Sequence, residues 1–297
     1  MTAAPSNPAP HVPAPHTPAP HVGPWGDRAF VGTLAVLGGS YVLLIVAMLA
    51  ADAAYTRPEH YLQALQKPEI QYAVRLTLVS CTITAILSLW IATPLGYLLS
   101  RYKFPGRWLL DTVLDIPIVL PPLVLGLSLL ILFHLRLGGT DLNPLTLEKI
   151  LHELLGFPIT FAVPSVILAQ FSVSCAFAVR TMRVTFDQIN PRTEMVAMTL
   201  GCSRNQAFWR VVLPQAWRGM IAALTISWAR ALGEFGPILV FSGATRMRTE
   251  VLSTTVFLEL SVGNLEAAVA VSLLMVAVAM LVLVLVRLLG ARTGWVT

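Results

Sequence analysis

The sequence predicts an all-α integral membrane protein of about six transmembrane helices with one structured loop outside the bilayer, and three observations carry that reading. Of its 297 residues 56% are hydrophobic and only 12% charged, with a mean hydropathy of +0.73, whereas roughly a quarter of a soluble domain is charged. The apolar residues fall in blocks of about twenty or more, each long enough to cross roughly 30 Å of hydrocarbon as a helix. The charges lie between the blocks, with arginine concentrated in alternate loops.

The net charge of +5 comes from those loops, not from a basic stripe interleaved with aromatics, so it fixes topology and does not point to nucleic acid. Cys81, Cys175 and Cys202 are far apart, with no CxxC pair and no histidine at metal-ligand spacing, and read as small space-filling residues.

In chain order, residues 1–27 form a tail built on the repeat PAPHV, PAPHT, PAPHV, too rich in proline for a helix and too poor in apolar bulk to pack. Its His11, His16 and His21 do not stay on one face of a three-residue-per-turn helix, so no metal site is assigned. The tail also lacks the basic and apolar regions of a secretory signal. A transmembrane domain follows over 28–293, and 294–297 form a short end. The expected spans run from about Ala29 to Ala51, Ala73 to Leu99, Leu109 to Phe133, Ile159 to Val179, Trp217 to Phe241 and Leu265 to Leu289. Pro94, Pro117, Pro121, Pro122 and Pro237 fall inside them, where a proline frees backbone groups that must face protein or water.

Short loops rich in arginine and lysine stay in the cytoplasm. Arg101, Lys103 and Arg107 follow the second span, and Arg180, Arg183, Arg192, Arg204, Arg210 and Arg218 lie between the fourth and fifth; the other loops are mixed in sign. Both termini are therefore expected in the cytoplasm, and the protein in the cytoplasmic, or inner, membrane.

The loop of about 181–215 carries more local signal than a tether requires. Asn190 is an N-cap, Pro191 sits at the first helical position, and Glu194 lies in the first turn, where negative charge suits the helix dipole. Gly201 can end that helix with a positive φ, and Ser203 with Gln206 makes a capping box for a second helix ending near Pro214. Two short helices meeting at a glycine fit either a loop lying on the membrane surface or one docked into a cytoplasmic partner.

The fifth span holds the sequence WARALGEFGPILVFSG, in which Arg230 and Glu234 are four residues apart and share a helix face. A lone charge at mid-bilayer costs at least about 2.5 to 3.5 kcal/mol, so that face is expected to point into the protein. Gly233, Gly236 and Pro237 around the pair permit close helix approach and a bend. Two roles stay open: an ion pair that fixes packing, or the edge of a translocation path in which Arg230 meets an anion and Glu234 keeps the charge from becoming a trap.

These residues carry a resemblance. The loop resembles the EAA loop of permease subunits of ATP-binding-cassette importers, a pattern of EAA, three residues, glycine, nine residues, an aliphatic residue, one residue, then Leu-Pro; Gly201, Val211, Leu213 and Pro214 match it. Aligned on Gly201, the EAA positions are Met195, Val196 and Ala197, and the nearest carboxylate is Glu194, about 100° away round the helix. RALGEFG with its following FSG, PIVLPPLVLGLSLL and FPGRWLLD resemble the molybdate and sulfate branch, over about Ala73 to Leu289, while ATRMRTEVL after Gly243 departs from the asparagine-containing turn usual there.

The resemblance implies a type I importer transmembrane domain, a second permease copy, two cytoplasmic ATPase subunits that bind ATP and magnesium, and an extracytoplasmic oxyanion-binding protein. It implies coupling through Asn190, Pro191, Glu194, Ala197, Gly201, Ser203, Leu213 and Pro214, and a gate at Arg230, Glu234, Gly233, Pro237, Pro121 and Pro122. The chain itself has no GxxxxGK[ST] loop, and its only lysines, Lys67, Lys103 and Lys149, lie in no glycine-rich context. The expectation is therefore a transport subunit, not an enzyme and with no cofactor of its own, that moves a tetrahedral oxyanion by alternating access, molybdate before tungstate or sulfate. The rival is a secondary anion transporter coupled to protons through Glu234.

Overall fold

The computed structural model describes residues 24–55, 65–140 and 143–292. The expected tail lies outside them except for its last residues, since α1 begins at Pro24, and so do His11, His16, His21 and the residues from 293 on. Helix α1 (Pro24–Tyr55) is a single apolar helix that belongs to a unit of its own up to residue 51. Its length and composition suffice to cross a membrane from Phe30.

The remainder is built on α2 (Pro68–Arg101) and α6 (Val163–Gln188), which run parallel. Small and hydroxylated side chains let the two approach: Thr77, Ser80, Thr84 and Ser88 on α2, and Ser165 and Ser174 on α6, are all buried. Such residues are the usual membrane helix interface, because backbones come close and hydroxyls bond locally or across. Thr84 Oγ1 donates to the Ile167 carbonyl of α6 at 3.4 Å, and Thr77 Oγ1 both donates to Ala73 O at 2.7 Å and accepts the Leu252 N–H at 2.9 Å.

Helix α10 (Trp217–Leu232) returns antiparallel along α6, with Ser227 Oγ donating to Ser174 O at 3.2 Å. Helix α12 (Leu265–Arg292) packs its Met275 and Val278 on a core of Cys81, Ala85, Trp228, Ala231 and Leu232. The end of the bundle where α2 and α6 finish and α10 begins is called the loop end below, because α7 (Pro191–Thr199), α8 (Arg204–Ala207) and α9 (Leu213–Gln215) lie there. A second apolar core seals that end, with Leu99, Met182, Phe186, Val212 and Ala216 at its centre.

Two of the six expected spans differ from expectation. The third is not one helix but α3 (Arg107–Val119) and α4 (Pro122–His134), bent by 113°. The cause is local: Leu120 and Pro121 each precede a proline and take extended ψ values of 138° and 133°, which a residue before proline prefers to the α region. The fifth stops at Leu232 and breaks over 233–237, where only Gly236 and Pro237 are helical and lead into a single π-helical turn over Ile238–Ser242. Beyond it, α11 (Leu252–Ser261) leads into α12.

Between α4 and α6 the sequence reading expected no element. The structure has a short antiparallel hairpin, β1 (Arg136–Thr140) with β2 (Asn143–Thr146), and the amphipathic α5 (Leu147–Leu155). Glu148 of α5 accepts the Ile159 N–H at 2.9 Å and ties the hairpin region to the start of α6.

Candidate functional site

The loop of 190–215 folds as its residues dictate. Asn190 Oδ1 accepts the Arg192 N–H at 3.0 Å, capping α7 while Pro191 occupies its first position. Gly201 turns the chain at φ +95° in open space, and the Gly201 and Cys202 N–H groups bond back to Met198 O and Ala197 O, both at 3.1 Å. Ser203 and Gln206 form the capping box in both directions, at 2.9 and 3.3 Å. The second helix is not regular, however: from Phe208 to Val212 it widens into a π-helical turn, where the Leu213 N–H reaches back five residues to Phe208 O, before Pro214.

Burial divides α7 into two faces. Glu194 and Ala197 are buried toward the bundle, whereas Met195, Val196 and Leu200 are exposed, Leu200 at 80%. Glu194, the carboxylate nearest the EAA position, therefore turns inward. Its Oε1 accepts the Tyr97 hydroxyl of α2 at 2.5 Å, and its Oε2 lies 3.6 Å from Arg101 Nε. Arg101 also donates to Ile189 O at 2.8 Å, and Arg204 of α8 donates to the Tyr102 hydroxyl at 3.0 Å while lying over its ring. The Tyr102 hydroxyl, accepting from Arg204, raises the pKa of that exposed guanidinium.

At the middle of the bundle, α10 ends one residue before Gly233. Arg230 Nη1 is 3.1 Å from Glu234 Oε2, and the guanidinium also stacks near the Phe177 ring of α6 at 5.6 Å. The pair is unequal: the Arg230 side chain is 34% exposed and that of Glu234 only 1%. Despite the short distance, Glu234 Oε2 makes no hydrogen bond of good geometry, so the pair is close but poorly aligned. The Glu234 carbonyl accepts the Ser253 hydroxyl at 2.7 Å, which ties the break to α11.

The break also meets α4 by a reciprocal fit. A Cβ on Gly236 would lie 2.8 Å from Pro122 Cβ, and a Cβ on Gly126 would lie 2.7 Å from Pro237 Cα, so neither position has room for a side chain. Of the expected gate residues, Pro122 and Pro237 thus touch the opposing segment and Pro121 makes the bend. Gly233 caps α10 where the span breaks, but it gives no close approach, since a Cβ there would have only contacts of 4.0 Å, and its φ of −81° is open to any residue. Gly126 was missed, although Pro122 and Gly126 are four residues apart and therefore on one face of α4.

Sequence reasoning also missed the cross-helix pairs. Asp111 and Asp115 of α3 meet Arg183 and Arg180 of α6 at 2.6 and 2.9 Å; two acids and two bases spaced for one face of each apolar helix were the available signal. Beyond the break, Glu259 takes Arg246 at 2.9 Å, Lys67 at 3.7 Å and Asn264 at 2.9 Å. Glu250 is its opposite: fully buried, with neither oxygen in a hydrogen bond of ordinary geometry. Burial pushes its carboxyl pKa up, and the nearby Thr255 hydroxyl, Arg246 and the Met247 N–H offset only part of that.

The chain is similar to known proteins over most of its length. The family described as binding-protein-dependent transport system inner membrane component matches residues 92–295. The sulfate transport system permease protein CysT of Escherichia coli K12 is 31% identical over 243 residues, 82% of this chain and 84% of that one. CysW of Synechococcus elongatus is 32% identical over 90% of each chain, and the molybdate/tungstate permease protein WtpB of Thermococcus kodakarensis is 31% identical over 71% of this chain and 75% of that one. The fold is shared with a bacterial transporter that imports the polysaccharide alginate, at a TM-score of 0.68 and 18% identity over 91% of this chain and 99% of that one. Capped loop, broken spans and similarity agree: the chain belongs to the binding-protein-dependent transport system inner membrane components, the permease family of ATP-binding-cassette importers that its loop resembles.

Proposed function

We propose that this chain is the permease subunit of an ATP-driven importer of a tetrahedral oxyanion. It works with a second permease, a pair of separate ATPase subunits that bind ATP and magnesium, and an extracytoplasmic binding protein. The loop end faces the cytoplasm, in line with its arginines. Met195, Val196 and Leu200 offer the ATPase an apolar surface, and movement of the loop opens and closes the contact between α4 and the 233–237 break.

The observation that carries the anion part is the inequality of the Arg230 pair. A guanidinium kept one-third open over a buried carboxylate presents positive charge at the break, weakened enough by its partner to let a dianion leave. The relatives that transport sulfate and those that transport molybdate or tungstate support the oxyanion class, and with sulfate permeases among the relatives that match over 82 to 90% of this chain, sulfate stands beside molybdate. A proton-coupled transporter working through Glu234 fits the family less well, since the family's partner is a binding protein.

Liposomes holding the permease, its ATPase and its binding protein should take up at least one of labelled sulfate, molybdate and tungstate on addition of ATP inside, and unlabelled competitors should then rank the three. No ATP-dependent uptake of any of them overturns the reading.

A further inference from the structure

We infer that Glu194 is a positioning residue that straps the loop helix α7 to the end of α2, so that motion of the loop is delivered to α2 directly, not only through the chain connections to α6 and α10. This rests on the coupling role proposed above and adds the route. Three observations carry it.

First, Glu194 is spent internally. It is 7% exposed, one oxygen accepts the Tyr97 hydroxyl and the other lies 3.6 Å from Arg101 Nε, so its carboxylate is directed at the end of α2. Second, the strap is doubled and braced. Arg204 grips Tyr102 from α8, Arg101 grips Ile189 O, and the Tyr97 ring packs edge-on against Phe186 and Phe208 at 5.6 and 4.8 Å. The α2 end thus touches α6, α7, α8 and the π-helical turn at once. Third, the lever is long: α2 runs unbroken from Arg101 back to Pro68, and near its other end Thr77 bonds the Leu252 N–H at the start of α11, whose Ser253 holds the Glu234 carbonyl. A pull at Glu194 therefore has a continuous route to the gate that avoids α10.

The complex of permease, ATPase and binding protein tests this with Glu194→Gln and Tyr97→Phe, the second of which keeps the ring and its packing. Both variants should still copurify with the ATPase and hydrolyse ATP, while uptake per ATP falls about tenfold, the size expected when a coupling free energy between two sites is lost. The double variant should be no worse than the more affected single one. Unchanged uptake per ATP overturns the inference, and so does loss of ATPase binding in Glu194→Gln, which would make the residue a docking contact.

A second measurement needs no substrate. With the native cysteines replaced and spin labels at Leu98→Cys and Arg192→Cys, the separation should stay constant to within about 2 Å between nucleotide-free and vanadate-trapped complexes. It should change on trapping once Tyr97→Phe is added. If the distance already changes with Tyr97 intact, the strap does not hold, whatever the substrate proves to be; if the unmodified complex takes up none of the three anions, only the substrate reading falls.

Discussion

Glu194 in the loop and Glu234 at the helix break are both buried carboxylates beside an arginine, and they are held in different ways. Glu194 has one oxygen in a short hydrogen bond from Tyr97 and the other 3.6 Å from Arg101, inside a set of aromatic contacts. Glu234 has its arginine at 3.1 Å but in poor alignment, next to a helix end and a single π-helical turn. A carboxylate held by a short hydrogen bond in low dielectric resists displacement, whereas a misaligned pair has no such bond to break when its partners shift. The difference teaches that stiffness and looseness are placed separately: the segment proposed to transmit movement is strapped, and the segment proposed to move is left underbonded. Glu250 extends the series to a carboxylate with neither oxygen in a hydrogen bond of ordinary geometry.

The comparison is most severely tested at the gate. Gly236→Val inserts side-chain atoms where a Cβ alone would stand 2.8 Å from Pro122. Overpacking of about 3 kcal/mol on the closed contact, roughly a hundredfold in its population, should abolish binding-protein-dependent uptake and leave ATP hydrolysis running without the binding protein. Wild-type uptake would show that α4 and the break do not need to meet.

Next comes the pair itself. Arg230→Ala strands the buried Glu234 and should lower stability by about 3 kcal/mol, the low end for breaking such a pair because Arg230 is partly exposed. Adding Glu234→Ala should restore much of that loss in thermal unfolding without restoring transport. If single and double variants are equally stable and equally inactive, packing is no part of the pair's role.

On the loop side, Gly201→Val forces a β-branched residue to φ +95° and should strain the turn by about 2 kcal/mol. Membrane insertion should be intact, with uptake per ATP reduced several-fold; normal coupling would mean that the turn is not part of the transmission.

The smallest effect concerns Glu250. Its folded pKa is raised, so the stability it contributes is complete below the unfolded carboxyl value and is lost as pH rises through the folded one. Glu250→Gln should remove that decline, gaining in melting temperature on the parent as pH is raised from about 5 to about 8. A variant that tracks the parent at every pH would show that Glu250 finds a partner in the complete complex.

Local signals were legible in the sequence and distant ones were not. Asn190, Gly201, Ser203 with Gln206, and the Arg230–Glu234 spacing act within one turn of chain, and each is found where its neighbours place it. The Tyr97–Glu194 bond joins residues 97 apart, and the Gly126–Pro237 contact depends on a 113° bend whose direction the two prolines do not specify. The inward turn of Glu194 follows from burial, which a one-residue offset from the EAA pattern signals only as a rotation.

The π-helical turn at Phe208–Val212 gives the loop one residue of slack. A π turn holds one residue more than the α-helical turn it replaces, so deleting a residue there would return an α-helical turn and leave Leu213 and Pro214 facing as they do. Deleting one from the regular α7 would instead rotate everything beyond it by about 100°. A gap of one residue at the π turn should therefore be far commoner among functional descendants of this chain than a gap within α7.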